Sequence, residues 1–413
     1  MKRTTIMRKG GQPTMSSENT AEKKVVSRER DLIDALKLLV PLLSEHAQAA
    51  EQQRKPVDAV MQAIEETGAY RWFVPKAYGG YEYSLSGFMK VGMALGSGCT
   101  SHAWVTTFCM EHNWLLSLYA KPAQDDIFGK QPYIIAPGAL APNGKATPTD
   151  GGFNITGRWQ WGTGVMHADW VMVGALTPVE GQEAPALGMH LIPIDEVEVI
   201  DTWRIEGMVG TGSNDIAVQD VFVPSHRYID LATVRDGTSP GAALHNSAIY
   251  RMPMLPVLGL TAAAPLVGAA CRAVDLFEER MQGRPVYGTT SKQGERAVAQ
   301  SRLAHIRVEM QSIVNQLLHL TGEVEAWGER EDACPEVERA RMRVNLGHIV
   351  RRARNVVTDV VEACGASAHF LDNPLQRIQR DLNTASCHTV FDLDVSSENY
   401  GRLLLGLPAN APT

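Results

Sequence analysis

The sequence predicts an α+β fold in which a sheet domain separates two helical domains. Between residues 26 and 136, apolar residues recur at spacings of three and four, which is the period of an amphipathic helix. Between residues 137 and 240 the pattern changes to short alternating or apolar runs bounded by Gly, Pro and Asn, which is typical of strands. Long helical periods return between residues 241 and 413. Examples of the three patterns are Leu32, Leu36 and Leu43, then residues 170–173 and 189–193, then Leu303, Ile306, Met310 and Ile313.

The composition excludes several classes of partner and site. The 413 residues are 44% hydrophobic and 21% charged, as in an ordinary globular protein, and the net charge of −7 offers no basic surface for nucleic acid. The six cysteines are scattered without a Cys-x-x-Cys pair. We therefore expect reduced thiols in a cytoplasmic protein, and neither a disulfide framework nor a metal site.

Two segments bear on location. Residues 1–25 are polar and basic and contain no long apolar run, which predicts a disordered tail rather than a secretory signal. Residues 254–271 carry no charge and approach the length of a membrane span. Their two prolines and many small residues favour a buried helix that packs against its neighbours, so we expect no membrane association.

Two glycine-rich segments carry the clearest motif. Residues 157–164 end a strand-like run with Trp161, Thr163 and Gly164, and residues 207–213 end in Ser213. In this order they resemble the flavin-facing β-domain of the acyl-CoA dehydrogenase superfamily, where a flat ring needs an aromatic wall, hydroxyl donors and close backbone approach. The resemblance implies the acyl-CoA dehydrogenase fold, with an N-terminal helical domain (26–136), a central β-barrel-like domain (137–240) and a C-terminal four-helix bundle (241–413).

Three further segments belong to the same resemblance. The turn at residues 75–80 is similar to one that shapes the active-site entrance in the superfamily, although a purely structural turn has the same composition. Gly138 falls in the loop that runs beside the flavin, where this chain has neither the Thr-Glu-Pro sequence nor the serine found in members of the superfamily. Arg284 begins a segment similar to the Arg-x-x-Phe-Gly signature, in which the guanidinium binds the flavin phosphate of a neighbouring subunit. The resemblance therefore implies a homo-oligomer, with a tetramer as the expected form.

The C-terminal segment bears on the type of reaction. Residues 377–381 match the Arg-x-x-Arg-Asp stretch of the superfamily, after which acyl-CoA dehydrogenases often carry a catalytic glutamate. Here that place holds His388, and a second histidine, His112, falls on a helix of the first domain. The pair resembles the flavin-dependent monooxygenases of this fold, which are the oxygenase components of two-component systems. The resemblance implies reduced flavin from a separate NAD(P)H-dependent flavin reductase, O2 as co-substrate, and a C4a-hydroperoxide that hydroxylates a small phenolic or indolic aromatic substrate.

Histidine chemistry suits that reaction. An imidazole with a pKa near ~6.5 can remove a phenolic proton at neutral pH or hydrogen-bond a peroxide. His112 and His388 are therefore the candidate catalytic residues, and Asp392 would orient His388 if the stretch between them is helical. Three aromatic residues are candidates for a substrate wall, with core packing as the alternative interpretation for each. They are Trp104, Trp114 and Tyr81.

The expected cofactor is reduced FMN or FAD, with FMN slightly favoured. The superfamily carries a Gly-Gly-x-Gly loop that seats FAD across the subunit interface, and residues 362–369 have lost the double glycine. This change leaves less room for the backbone to approach a dinucleotide. Since no Gly-x-Gly-x-x-Gly follows a strand in the sequence, we do not expect nicotinamide binding on this chain.

Three other functions stay open from the sequence. An N-oxygenase acting on an amine or amino sugar would use the same fold and cofactor. An acyl-CoA dehydrogenase with a displaced base would reduce its flavin on mixing with an acyl-CoA. A flavin-free structural or binding subunit would retain neither FMN nor FAD in either redox state.

Overall fold

The chain is organised as helices, one β-sheet and a second set of helices, which is the predicted order. The predicted α+β fold class is therefore confirmed. The disordered tail predicted for residues 1–25 lies outside the part of the chain that is described. The computed structural model describes residues 29–179, 181, 183–286 and 288–413.

In the described part of the chain, six α-helices precede the sheet, and the fifth is buried among its neighbours. They are α1 (Glu29–Lys37), α2 (Val40–Gln53), α3 (Asp58–Glu66), α4 (Leu85–Gly98), α5 (Thr100–Leu116) and α6 (Lys121–Phe128). Every residue of α5 except Phe108 is buried, because α4 and a long later helix, α9 (Met254–Gly283), pack against it. Gly96 of α4 permits the close approach of α4 and α9 to each other, since a Cβ there would lie 2.1 Å from the carbonyl oxygen of Pro265 in α9. Such close packing holds the side chains of α5 in fixed positions.

Seven strands of the described residues form one mixed sheet. They are β1 (Gly138–Thr149), β2 (Gly152–Trp159), β3 (Trp170–Thr177), β4 (Ala186–Pro193), β5 (Glu198–Ile200), β6 (Asp215–Pro224) and β7 (Tyr228–Asp230). The strand order is β5-β6-β2-β1-β3-β4-β7, with β1 and β3 parallel and every other pair antiparallel. In the described part of the chain the edge strands β5 and β7 do not pair with each other. Trp159 fills the core of the sheet, where its Nε1–H donates to the carbonyl of Gly174 at 2.9 Å.

Long helices follow the sheet, and α9 lies at their centre. Two short helices follow the sheet: α7 (Leu231–Arg235) lies inside the region predicted as the sheet domain, and α8 (Pro240–His245) begins at its last residue. Among the described helices, α9 is the one long and apolar enough to cross a membrane. Of its apolar stretch of 18 residues, 83% is buried inside the protein. Residues 254–271 thus form the buried helix that their composition favours. The remaining helices are α10 (Ala297–Gly328), α11 (Glu336–Cys364), α12 (Pro374–Ala385) and α13 (Leu393–Leu404).

Asp381 of α12 links the last helices to the loop before β6. The backbone N–H of Met208 donates to its carboxylate at 2.6 Å, and the neighbouring Arg380 forms an ion pair with Glu51 of α2. Gly207 allows the contact, because a Cβ there would lie 2.0 Å from the carbonyl oxygen of Arg380. Burial raises the pKa of Asp381 to about 6.

Replacing Asp381 with Asn is expected to remove a pH-dependent loss of stability. The folded pKa of about 6 exceeds the reference value of 3.8, so the neutral carboxyl stabilises the fold below about pH 4 and that contribution is lost as the pH rises through about 6. Between pH 4 and pH 7 the free energy of unfolding of the native protein should fall by about 2 kcal/mol relative to that of Asp381→Asn. Urea denaturation of both proteins at the two pH values measures this difference, and an equal pH dependence would contradict the raised pKa.

Candidate active site

One face of α5 carries three rings in a row. Trp104, Phe108 and His112 are spaced by four residues, so they share a face of the helix. The rings of Trp104 and Phe108 stack with centroids 4.6 Å apart, and Phe108 meets His112 edge-on at 5.7 Å. The sequence analysis did not select Phe108, although its spacing from the other two rings was an available signal.

His388 faces the same row from another part of the chain. It follows α12 and precedes the 3-10 turn Thr389–Phe391. Its ring centroid lies 5.8 Å from that of Trp104 and 6.0 Å from that of Phe108. The structure therefore brings His112 and His388, both selected from the sequence, against the ring of Phe108.

The two histidines carry their protons on opposite nitrogens. Nδ1 of His112 lies 2.6 Å from the carbonyl oxygen of Ala136, and because a carbonyl only accepts, Nδ1 holds the proton and Nε2 is an acceptor. Nδ1 of His388 accepts from the backbone N–H of Val390 at 3.3 Å, so the proton of the neutral ring lies on Nε2. Burial lowers the pKa of both histidines to about 4. Both rings are therefore neutral at pH 7, one as an acceptor and the other as a donor.

Asn113 fixes the loop before β1 against α5. Its Nδ2 donates to the carbonyl of Ile134 at 2.9 Å, and its Oδ1 accepts from the N–H of the same residue at 3.0 Å. This contact places the Ala136 carbonyl at His112 and Gly138 beside the ring. A Cβ at residue 138 would lie 3.1 Å from Nε2 of His112, so glycine keeps that nitrogen accessible.

Three buried hydroxyls line the loops selected as flavin-facing. Thr163 and Ser213 lie 3.0 Å apart through their hydroxyl oxygens, and Ser213 lies 2.9 Å from the hydroxyl of Thr211. Gly164 has a φ of +96°, and a Cβ there would lie 2.8 Å from Sγ of Cys109 in α5. The structure thus brings Thr163 and Ser213, both selected from the sequence, together beside Gly164, and adds Thr211, which the sequence analysis did not select.

Trp161 presents its ring at the surface beside these hydroxyls. The residue is 56% exposed, and its backbone adopts a φ of +65°, which is uncommon for a residue with a large side chain. Its carbonyl accepts from the N–H of Thr163 at 2.8 Å, which fixes the tight turn. A large exposed ring next to a buried polar edge is suited to covering a flat ligand.

Arg284 lies in a separate, cationic cleft at the end of α9. Its Nη1 donates to the carbonyl of Cys364 at 2.7 Å. The cleft measures about 510 Å³, and Arg296 and Arg302 line it together with Gly365. Three guanidinium groups in one cleft suit a phosphate-bearing ligand.

The remaining residues selected from the sequence lie outside the row of rings. Trp114 is fully buried in the core, where its Nε1–H donates to the carbonyl of Ile249 at 2.7 Å. Tyr81 stacks on Tyr83, with ring centroids 5.0 Å apart. Asp392 accepts from the N–H of Val395 at 3.0 Å and so caps α13. It has this role because a 3-10 turn, not a helix, separates it from His388.

Comparison with known proteins identifies the family. The model of the family "Acyl-CoA dehydrogenase, C-terminal domain" matches residues 260–393. A pigment production hydroxylase from Rhodococcus sp. (strain ATCC 21145) is 34% identical, over 92% of this chain and 98% of its own. The oxygenase subunit HsaA of a flavin-dependent monooxygenase from Rhodococcus jostii (strain RHA1) is 32% identical, over 90% of this chain and 98% of its own. The chain belongs to this family of flavin-dependent monooxygenases.

A solved structure agrees with this assignment. The crystal structure of 3-HSA hydroxylase from Rhodococcus sp. RHA1 has a TM-score of 0.87 and 31% identity, and the match covers 93% of this chain and 98% of that one. The predicted acyl-CoA dehydrogenase fold and flavin-dependent oxygenase reaction are thereby confirmed. As a member of this family the protein is an oxidoreductase that uses a flavin. The exposed ring of Trp161 and the buried hydroxyls beside it fit such a flat, polar-edged group.

Replacing Gly164 with Ala is expected to destabilise the protein. The new Cβ would require a positive φ and would lie 2.8 Å from Sγ of Cys109, so the free energy of unfolding should fall by about 1–3 kcal/mol. Gly283→Ala is the matched control, because nothing lies within 4 Å of a Cβ at that position. Chemical denaturation measures both variants, and equal stability of the two would contradict the close contact between Gly164 and α5.

Proposed function

We propose that this monooxygenase hydroxylates a small phenolic or indolic substrate. The observation that carries the proposal is the pair of opposite tautomers, His112 and His388, set against the ring of Phe108. One acceptor and one donor beside an aromatic row suit a ring that bears a single ionisable O–H or N–H group. Similarity to hydroxylases supports the same substrate class.

In this proposal His112 is the base. Its Nε2 accepts the hydroxyl proton of the substrate, because Nδ1 is held by the Ala136 carbonyl. Loss of that proton raises the electron density of the ring and makes its carbon more nucleophilic. The neutral state that a base requires is secured by burial, which lowers the pKa of His112 to about 4.

His388 has the complementary role of hydrogen-bond donor. Its Nε2–H donates toward the oxygen atom that is transferred, while its Nδ1 stays bound to the N–H of Val390. Reduced flavin, when bound, activates O2 and supplies that oxygen atom. The stacked rings of Trp104 and Phe108 exclude water from the same space, which limits loss of the oxygen as hydrogen peroxide.

The flavin ring is assigned to the loops beside α5. Trp161 covers the ring, the hydroxyls of Thr163 and Ser213 bind its polar edge, and Gly138 and Gly164 allow close approach. Arg284, with Arg296 and Arg302 in its cleft, binds the flavin phosphate of a neighbouring subunit, which requires a homo-oligomer, expected to be a tetramer. FMN stays slightly favoured over FAD, since the loop of residues 362–369 lacks the double glycine.

Reduced flavin must reach this chain from another protein. The sequence contains no strand followed by Gly-x-Gly-x-x-Gly, so a separate NAD(P)H-dependent flavin reductase is the proposed transient partner. All six cysteines are free thiols in the structure, which supports a reducing, cytoplasmic location.

The role of His388 is tested by comparing His388→Ala with His319→Ala. His319 is the control because its side chain is exposed on α10, far along the chain from the rings. Each protein is mixed with a flavin reductase, NADH, air and a panel of phenols and indoles, and hydroxylated product and hydrogen peroxide are measured per NADH. His388→Ala should lose product by about tenfold or more while oxygen uptake continues as peroxide. Product yield equal to that of the native protein would remove His388 from the reaction.

The substrate class is tested in the same assay with amines and amino sugars. Ring hydroxylation of a phenol or indole, without oxygen transfer to nitrogen, is the expected result. An N-oxygenated product formed without any ring hydroxylation would overturn the proposed substrate class.

A further inference from the structure

Phe108 is the one residue of α5 that is not fully buried, and its ring contacts both histidines of the site. Its ring centroid lies 5.7 Å from that of His112 and 6.0 Å from that of His388, and both imidazoles meet the phenyl group edge-on. Among the residues that the structure describes, no hydrogen bond joins the two imidazoles. The side chain of Phe108 therefore fills space beside both of them.

The two imidazoles have complementary nitrogens that the protein leaves free. Nε2 of His112 is an acceptor and Nε2 of His388 carries a proton, and neither atom takes part in a hydrogen bond within the described residues. The buried carboxyl of Glu111 has its Oε2 3.6 Å from Nε2 of His112, which is too far for a hydrogen bond. An acceptor and a donor that are both withdrawn from water gain free energy by bonding to each other.

We propose that Phe108 is a positioning residue that keeps the Nε2–H of His388 from bonding to Nε2 of His112. A phenyl ring has no hydrogen-bonding group that competes for these nitrogens, and its stack on Trp104 at 4.6 Å holds it in place. Both nitrogens thereby stay available, one for the hydroxyl proton of the substrate and the other for the oxygen atom that is transferred. The inference rests on the roles proposed for the two histidines.

A direct N–H···N bond between the imidazoles would close the site in the absence of substrate. It would occupy the lone pair of His112 and the proton of His388 at once, so a substrate would have to break it before either group acts. The free energy needed to break that bond would be lost from substrate binding. A rigid apolar group between the imidazoles avoids this loss, because it leaves each nitrogen unpaired until the substrate binds.

The alternative interpretation is that Phe108 only excludes water from the site. The two interpretations differ in what donates to His112 once the ring is removed. If Phe108 is only a wall, the new donor to Nε2 of His112 is water or the carboxyl of Glu111. If Phe108 is a spacer, the new donor is the Nε2–H of His388, and the two imidazoles become magnetically coupled through the bond.

The test is ¹⁵N NMR of the full-length protein with ¹⁵N-labelled histidine, at neutral pH and without added flavin. The two imidazoles are assigned by the loss of their signals in His112→Asn and His388→Asn. In Phe108→Ala, Nε2 of His112 should move upfield, as an unprotonated imidazole nitrogen does when it accepts a hydrogen bond. A scalar coupling between the two Nε2 nuclei, absent from the native protein, should accompany the shift. An unmoved signal, or an upfield shift without this coupling, would defeat the proposal.

Phe153→Ala is the matched control. Phe153 is also partly buried and also meets a buried histidine edge-on, His190, with ring centroids 5.4 Å apart. Its replacement should leave the signals of His112 and His388 unchanged. If Phe108→Ala does not fold, Phe108→Leu decides by the same two readouts, since leucine lacks the outer part of the ring and lets the imidazoles approach each other.

A second readout separates this inference from the proposed function. In the assay with flavin reductase, product per NADH should fall by about tenfold or more in Phe108→Ala, with the difference released as hydrogen peroxide, whereas Phe153→Ala should match the native protein. Scalar coupling in Phe108→Ala, with no hydroxylated product from the native protein, would defeat the proposed function and leave the spacer standing. Hydroxylated product from the native protein, without that scalar coupling, would defeat the spacer alone.

Discussion

The arrangement of the site depends on the hydrogen bonds between the side chain of Asn113 and the backbone of Ile134. The amide is buried, and it also donates to the carbonyl of Cys109 at 2.8 Å, so breaking the contact would leave buried polar groups unpaired at about 1–3 kcal/mol each. These bonds hold the chain that leads into β1 against α5. They thereby bring the Ala136 carbonyl to His112, which selects the tautomer of that ring and leaves its Nε2 facing Gly138.

Burial, rather than ion pairing, sets the charge of the two histidines. Both have a pKa lowered to about 4 by the loss of water, so at neutral pH each has one donor and one acceptor nitrogen. Backbone groups then decide which nitrogen carries the proton: the Ala136 carbonyl accepts a hydrogen bond from Nδ1–H of His112, and the N–H of Val390 donates to Nδ1 of His388. The same side chain can therefore serve two chemical roles in one site, because its backbone partners differ.

The sequence predicts the features that depend on local spacing and motif order. The helical period, the strand runs and the ordered glycine segments were sufficient for the fold class. His112 and His388 were selected through the family resemblance that includes residues 377–381, and the structure brings both against the ring of Phe108. Phe108 could also have been selected from the sequence, since it lies four residues from both Trp104 and His112. Glu111 could not be selected by this argument, because adjacent helical residues point about 100° apart. Only the packed structure shows that its Oε2 lies 3.6 Å from Nε2 of His112. Asp392 was expected to orient His388 on the assumption of a helix, and the 3-10 turn that forms instead makes it the cap of α13.

The two loops assigned to the flavin hold two of the six non-glycine residues with positive φ in the described part of the chain. Trp161 and Met208 are non-glycine residues with φ near +60°, and Gly164 and Gly212 also lie in the left-handed region. Conformations of this kind cost about 1–3 kcal/mol each for non-glycine residues and persist only where their surroundings hold them. Here the surroundings are packed helices: the contact with α5 holds the first loop, and the carboxylate of Asp381 holds the second through the N–H of Met208. Because the helices shape both loops before any ligand arrives, little conformational freedom is left to lose on flavin binding.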